Sequence, residues 1–197
     1  MKVNDKERIR QELLVRRRSM DRTEWLARSE AICDHLKELD QIRHAERVHC
    51  YVSMENEREV STLPFLEWLC SERKEVYMPY IEHGTMVAAR YASGHCFIAK
   101  QIGPPIPDPL VVCDEARFDV VVVPLVGADR RGARIGYGKG WYDRFFASLR
   151  SSATPPFKAG ICFGFQMVDE VPADPWDQFL DIVVTENGII NCMSARS

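Results

Sequence analysis

The sequence predicts a three-layer α/β fold, a Rossmann-like and mostly parallel sheet with helices on both faces. Short runs of strand character alternate with segments whose apolar residues recur at helical spacing, the order that places crossover helices over a parallel sheet. One run, Val120 to Val123, is apolar without interruption, as a strand covered on both faces must be, and it leads through a glycine-rich loop into a helix-like segment. With 197 residues and 46% hydrophobic content the chain can enclose a sizeable core, so one domain spanning 1–197 is expected.

In chain order, residues 5 to 19 read as a helix with Ile9, Leu13 and Met20 on one stripe and Lys6, Arg10 and Arg17 on a stripe beside it. A second helix starts at Asp21, which forms a capping-box-like pair with Glu24 while Met20 and Trp25 close a hydrophobic staple. Trp25, Ile32, Leu36 and Leu39 line its buried face. Residues 47 to 53 alternate as a strand, followed by a polar loop (54 to 59) and a helix with Pro64 in its first turn and Phe65, Leu66 and Leu69 turned inward.

Residues 74 to 80 read as a short strand ending at Pro79, and 85 to 91 with 96 to 99 as a two-stranded excursion around Gly94. The run Gly103-Pro-Pro-Ile-Pro-Asp-Pro109 is expected to break regular structure, either as a rigid wall of a site or as a linker. After Val120 to Leu149 come a buried strand at 157 to 163 and a last strand at 181 to 185, ended by Asn187-Gly188.

The net charge of −3 gives no global attraction to nucleic acid or anionic lipid, so neither is an expected partner and any anion recognition must be local. No apolar run approaches the ~20 residues of a membrane span, and the N-terminus lacks the apolar core of a signal peptide, so a cytoplasmic location is expected. Seven cysteines, odd in number and without a Cys-x-x-Cys pair, suit thiols packed as small apolar residues in a reducing compartment. The five histidines show no metal-ligand spacing.

The junction at Val120 to Leu149 carries the chemistry. Its glycines at 127, 132, 136, 138 and 140 let backbone N–H groups approach a ligand, and the following helix start carries partial positive charge. Arg130, Arg131, Arg134 and Lys139 add full charges, so the loop suits a phosphate. It is not a Walker loop, because Ala133 and Gly140 stand where the first glycine and the hydroxyl belong. It is not the dinucleotide fingerprint either, because Trp141 stands where the third glycine belongs.

The run Pro124-Leu-Val-Gly-Ala-Asp-Arg-Arg-Gly-Ala-Arg-Ile-Gly-Tyr-Gly-Lys-Gly-Trp-Tyr-Asp143 closely resembles the signature of the 5-formyltetrahydrofolate cyclo-ligase family, also called 5,10-methenyltetrahydrofolate synthetases. Two positions depart from it: Tyr137 stands where many members carry arginine, and Trp141 replaces a tyrosine. The resemblance implies ATP and Mg2+ as cofactors and a reduced folate as substrate. It implies that Lys6 and Arg10, with Arg134, Ile135, Gly136, Tyr137, Gly138, Lys139, Gly140, Trp141 and Tyr142, bind the nucleotide. It likewise implies that Val52 and Glu57, with Tyr137 to Trp141, bind the folate, that Lys139 and Arg134 are catalytic, and that Asp143 and Asp177 hold the metal. An acidic residue in the Val52 to Glu57 loop would accept hydrogen bonds from the N–H edge of a pterin.

The reaction so implied is ATP-dependent conversion of 5-formyltetrahydrofolate to 5,10-methenyltetrahydrofolate through a phosphorylated formyl group, by a monomer or weak homodimer. Two other readings stay open on the residues alone. One is an α/β enzyme binding a different phosphate ligand, such as a sugar phosphate or coenzyme A, on a related scaffold. The other is a non-catalytic, RNA-binding or regulatory member that uses the basic helix as an electrostatic footprint.

Overall fold

The computed structural model describes residues 2–98, 104–113, 117–149 and 154–193, without the side chains of residues 2–4. Helices α1 (Lys2–Arg18), α2 (Arg22–Glu38) and α3 (Asp40–His44) precede strand β1 (Arg47–Cys50). Helix α4 (Leu63–Ser71) leads to β2 (Glu75–Glu82), β3 (Thr85–Tyr91), β4 (Cys96–Ile98), β5 (Ile106–Asp108) and β6 (Val112–Cys113). Strand β7 (Val120–Pro124) and the short β8 (Gly127–Ala128) and β9 (Arg134–Ile135) come before α5 (Trp141–Ser148). Strands β10 (Phe157–Ile161), β11 (Ile182–Thr185) and β12 (Gly188–Asn191) follow.

Eight strands form one sheet in the order β12-β11-β10-β7-β1-β2-β3-β6. The five from β11 to β2 are parallel, and β12, β3 and β6 add antiparallel edges. The valine run of β7 shows why both faces are covered. Val120 and Val122 pack with Trp25, Ile32, Phe65 and Leu66 of α2 and α4, while Val121 and Val123 pack with Phe145 and Phe146 of α5. A third cluster joins Leu13 and Leu14 of α1 to Val126, Ile135 and Val171. This is the α/β architecture that the alternation of elements implied.

Local chemistry sets the boundaries. Asp21 caps α2 by accepting from the amides of Thr23 (2.8 Å) and Glu24 (3.4 Å), and Pro64 lies in the first turn of α4. Four expectations are corrected. Residues 85–91 do not pair with 96–98; His83 and Gly84, at φ 47° and 80°, make a two-residue turn that folds β3 back along β2. Strand β4 pairs instead with β5, so the proline run contains a strand at Ile106–Asp108, while Ala99 and Gly103 lie outside the described residues. Strand β2 also continues through Pro79, where it pairs with β3 beyond the stretch that meets β1. Finally, β11 is not the last strand, because Gly188–Asn191 turns back antiparallel to it.

The chain leaves β1 for β2 on one side and returns through β7 on the other. The connections beyond the C-terminal ends of β1 and β7 therefore separate, and an open α/β sheet binds ligands in such a crevice.

Beneath this crevice His49 of β1 is fully buried between the rings of Phe118 (5.3 Å) and Phe145 (4.9 Å), and neither ring nitrogen has a hydrogen-bond partner among the described residues. Desolvation pushes its pKa down from 6.5 to about 3. The unfolded chain therefore binds a proton that the folded protein refuses, so stability falls as pH drops below the unfolded value. Between pH 7 and 5 this should cost about 2 kcal/mol. His49→Leu should flatten that part of the profile in urea unfolding at the two pH values, whereas an unchanged acid slope would contradict the burial of a neutral imidazole.

Candidate active site

A cavity of about 530 Å³ lies over the ends of β1 and β7, within the usual range for small-ligand sites. Part of its lining is largely apolar and comes from the strands and the loop after β1: Tyr51, Val52, Pro79, Ile81 and Met86, with the buried Glu59. Another part is charged and comes from α1, the glycine loop, α5 and residues 174 to 177: Lys6, Arg10, Lys139, Arg144, Asp174 and Asp177, beside Trp176, which is 68% exposed. Gly136 to Asp143 line it as a continuous run.

Helix α1 supplies Lys6 and Arg10 because Arg17, on the same stripe, anchors its far end. Arg17 is 1% exposed; its Nε donates to the Glu57 carbonyl (2.8 Å), Nη1 to the Leu125 carbonyl (3.1 Å) and Nη2 to the Tyr137 hydroxyl. With α1 fixed, Arg10 Nε reaches the Gly136 carbonyl at 2.7 Å and Lys6 Nζ the Asp177 carboxylate at 2.8 Å. The four-residue spacing of Lys6 and Arg10 thus places both cations at the mouth of the cleft.

The loop from Asp129 to Gly140 is more ordered than a glycine-rich connection implies. Strands β8 and β9 make a small hairpin, and the buried Asp129 carboxylate accepts from the amides of Arg131 (2.9 Å), Ala133 (3.1 Å) and Val171 (3.0 Å). Arg131 pairs with Asp129 and Glu170, outside the cleft, so of the loop cations only Arg134 and Lys139 line it. Ile135 also turns away: it is fully buried in the α1 cluster and does not line the cleft. Gly138 and Gly140 have φ of 82° and 62°, a conformation side chains resist, and Gly140 caps the start of α5. Lys139 between them is exposed.

Asp143 and Asp177 both line the cleft, and each holds a side-chain cation. Asp143 Oδ1 accepts from Arg134 Nη2 at 2.6 Å and from the Gln178 amide at 3.1 Å. Burial lowers the pKa of Arg134, and Asp143 opposes that shift. Asp177 Oδ2 accepts from Lys6 and from the Asp174 amide at 2.9 Å. No cluster of three or more His, Cys, Asp or Glu side chains able to hold a metal occurs among the described residues. Two carboxylates on one cavity wall are oxygen donors of the kind a hard cation takes together with water.

Of the two glutamates near Val52, Glu59 and not Glu57 lines the cavity. Glu57 does not line the cleft; its carboxylate meets Arg18 at 2.7 Å and Arg17 at 3.8 Å. Arg58 adopts a left-handed φ of 50°, which redirects the chain, and Glu59 rather than Glu57 enters the cavity wall at 3% exposure. Burial raises the Glu59 pKa, against the opposing influence of Arg17, the Met54 amide and the Tyr137 hydroxyl. Val52, Trp141 and Tyr142 also line the cleft. Sequence reasoning missed Glu59, Arg144, Asp174 and Trp176 as site residues, and it placed Arg17 on the stripe of Lys6 and Arg10 without the buried anchoring role that it takes here.

Residues 2–186 match the model of the 5-formyltetrahydrofolate cyclo-ligase family. The chain is 26% identical over 192 residues to a 5-formyltetrahydrofolate cyclo-ligase of Haemophilus influenzae, covering 93% of this chain and 100% of the relative. It is 31% identical to the enzyme of that name from Escherichia coli over 66% of this chain and 74% of the relative. Among solved structures, the 5,10-methenyltetrahydrofolate synthetase of Aquifex aeolicus superposes with a TM-score of 0.82 at 28% identity, covering 98% of this chain and 95% of that one. The synthetase of Mycoplasma pneumoniae superposes with a TM-score of 0.72 at 25% identity, over 92% and 99%. A glycine-rich cationic loop at the switch point of the sheet, and a match running nearly the length of the chain, place this protein in the 5-formyltetrahydrofolate cyclo-ligase family.

Proposed function

We propose that the cleft binds ATP at its charged part and 5-formyltetrahydrofolate at its apolar part, and closes the folate to 5,10-methenyltetrahydrofolate. The observation that supports this most is the mixed lining of one cavity: the cations Lys6, Arg10, Arg134 and Lys139 with the glycine loop, and the buried Glu59 carboxylate with the apolar Val52, Pro79, Ile81 and Met86. A triphosphate suits the first group and a flat ring with N–H donors suits the second.

The formyl oxygen on N5 is a poor leaving group until it is phosphorylated. In the proposed sequence it attacks the γ-phosphorus, the bond to the β-phosphate oxygen breaks, and ADP departs. The folate N10 then attacks the formyl carbon and loses its proton, and the C–O bond breaks with its electrons leaving on phosphate. Such transfer needs positioning and charge neutralisation, not a protein nucleophile. Lys6, Arg10 and Lys139 neutralise phosphate oxygens, and the Gly136 to Gly140 backbone brings them close. Arg134, buried against Asp143, holds that carboxylate in place. Asp143 and Asp177 would hold Mg2+, which offsets phosphate charge when bound. Glu59 accepts from the pterin edge, in the role that the sequence resemblance assigned to Glu57.

Purified protein mixed with 5-formyltetrahydrofolate, ATP and Mg2+ should develop the methenyl-folate absorbance, and omission of any one component should abolish it. Lys139→Ala should lower kcat about a hundredfold with the fold retained by circular dichroism, as expected for loss of a charge aimed at the transition state. Wild-type turnover in that variant would contradict the role of Lys139. Asp177→Asn should raise the Mg2+ concentration for half-maximal turnover about tenfold. An unchanged midpoint would remove Asp177 from the metal site.

A further inference from the structure

Tyr137 lies in the glycine loop, but its hydroxyl is committed to two buried partners. It accepts from Arg17 Nη2 and donates to Glu59 Oε1 at 2.8 Å. The Arg17 guanidinium also sits over the Tyr137 ring, 5.6 Å from its centroid. Glu59 is fixed from its other sides: Oε2 accepts from the Met54 amide at 2.8 Å, and its backbone carbonyl accepts from Trp25 Nε1 at 2.6 Å.

Removing one oxygen atom, that of Tyr137, would leave a buried donor on Arg17 and a buried acceptor on Glu59 unsatisfied together. Such losses cost more than the bond itself contributed. The groups facing the Glu59 carboxyl are Arg17 from α1, Met54 and Glu57 from its own loop, and Tyr137 from the glycine loop, with Tyr51 and Tyr142 coupled to it electrostatically. Arg17 is the one cation among them, and the hydroxyl of Tyr137 links it to the carboxylate.

We propose that Tyr137 is a positioning residue: it relays Arg17 to Glu59, fixing the Glu59 carboxylate as an ionised acceptor at the apolar part of the cleft. That part then selects a heterocycle whose edge donates two hydrogen bonds, such as an amino-pyrimidinone. This rests on the reading that a reduced folate occupies the apolar part. It departs from a direct ligand role for Tyr137, because the hydroxyl faces protein groups on both sides.

Tyr137→Phe keeps the ring and removes only the relay. It should raise KM for 5-formyltetrahydrofolate about tenfold while KM for ATP stays within twofold. The acid limb of kcat/KM for the folate should move to higher pH, because Glu59 loses a bond that favours its charged form. The effect should vanish in the background of Glu59→Gln, where the double variant binds folate no worse than Glu59→Gln alone. Equal changes in both KM values, an unmoved acid limb, or additive effects in the double variant would overturn the proposal. A thermal melt separates lost folding from lost binding. If Tyr137→Phe does not fold, 3-fluorotyrosine at position 137 tests the same relay with the side chain otherwise intact: its stronger O–H donor should move the acid limb for the folate to lower pH with KM for ATP unchanged, and an unmoved acid limb would overturn the proposal. Wild-type protein that binds ATP but no folate would sink the functional reading itself, an outcome distinct from a folate-binding wild type whose Tyr137→Phe variant behaves identically.

Discussion

The buried guanidinium of Arg17 is the interaction on which the cleft depends. A side chain with a fixed fork of donors meets acceptors from three separate segments: the carbonyl of Glu57 after β1, the carbonyl of Leu125 after β7, and the hydroxyl of Tyr137 in the glycine loop. Without these acceptors Arg17 would be a buried charge with little compensation, and the Leu125 carbonyl, which also accepts from Gln166 Nε2 at 3.0 Å, ties the same point to the segment after β10. The helix that carries it is thereby held across the crevice. Arg10 and Lys6 reach the cleft because they share its stripe, about two and three turns towards the N-terminus.

The sheet provides the other half of the geometry. The connections after the parallel strands β1 and β7 leave for opposite faces of the sheet, through α4 and α5, and this opens room beyond the strand ends, while the valines of β7 are fully enclosed. Ion pairs then arrange the charged part. Arg134 with Asp143, and Lys6 with Asp177, keep charges of both signs at one mouth without leaving any of these four side chains isolated. A phosphate and its cation entering together would find a partner for each sign.

How much of this was legible in the sequence depended on whether a feature was local. The continuous apolar run at Val120 to Val123 and the helical spacing of Phe145 and Phe146 gave the sandwiched strand and its covering helix, and Asp21 announced its cap. The motif Gly136 to Asp143 reaches the cleft as a unit because successive residues of a short loop share a neighbourhood. Ile135 is the exception, because the hairpin turns it into the core. Glu57 and Glu59 could not be told apart in a loop with acidic residues at 55, 57 and 59; one left-handed residue, Arg58, decides which faces inward. The β2–β3 pairing hinged similarly on two residues, His83 and Gly84. The contacts of Lys6 with Asp177 and of Arg17 with Leu125 span 171 and 108 residues, and no spacing rule reports such separations.

Phosphoryl transfer to the folate is tested most directly by following one oxygen atom. With 5-formyltetrahydrofolate carrying 18O in the formyl group, turnover with unlabelled ATP in unlabelled water should release inorganic phosphate bearing the label, because the formyl oxygen departs bonded to phosphorus. Unlabelled phosphate formed in step with methenyl-folate would contradict a phosphorylated formyl group. The charged and apolar parts of the cleft would then serve ring closure by some other route.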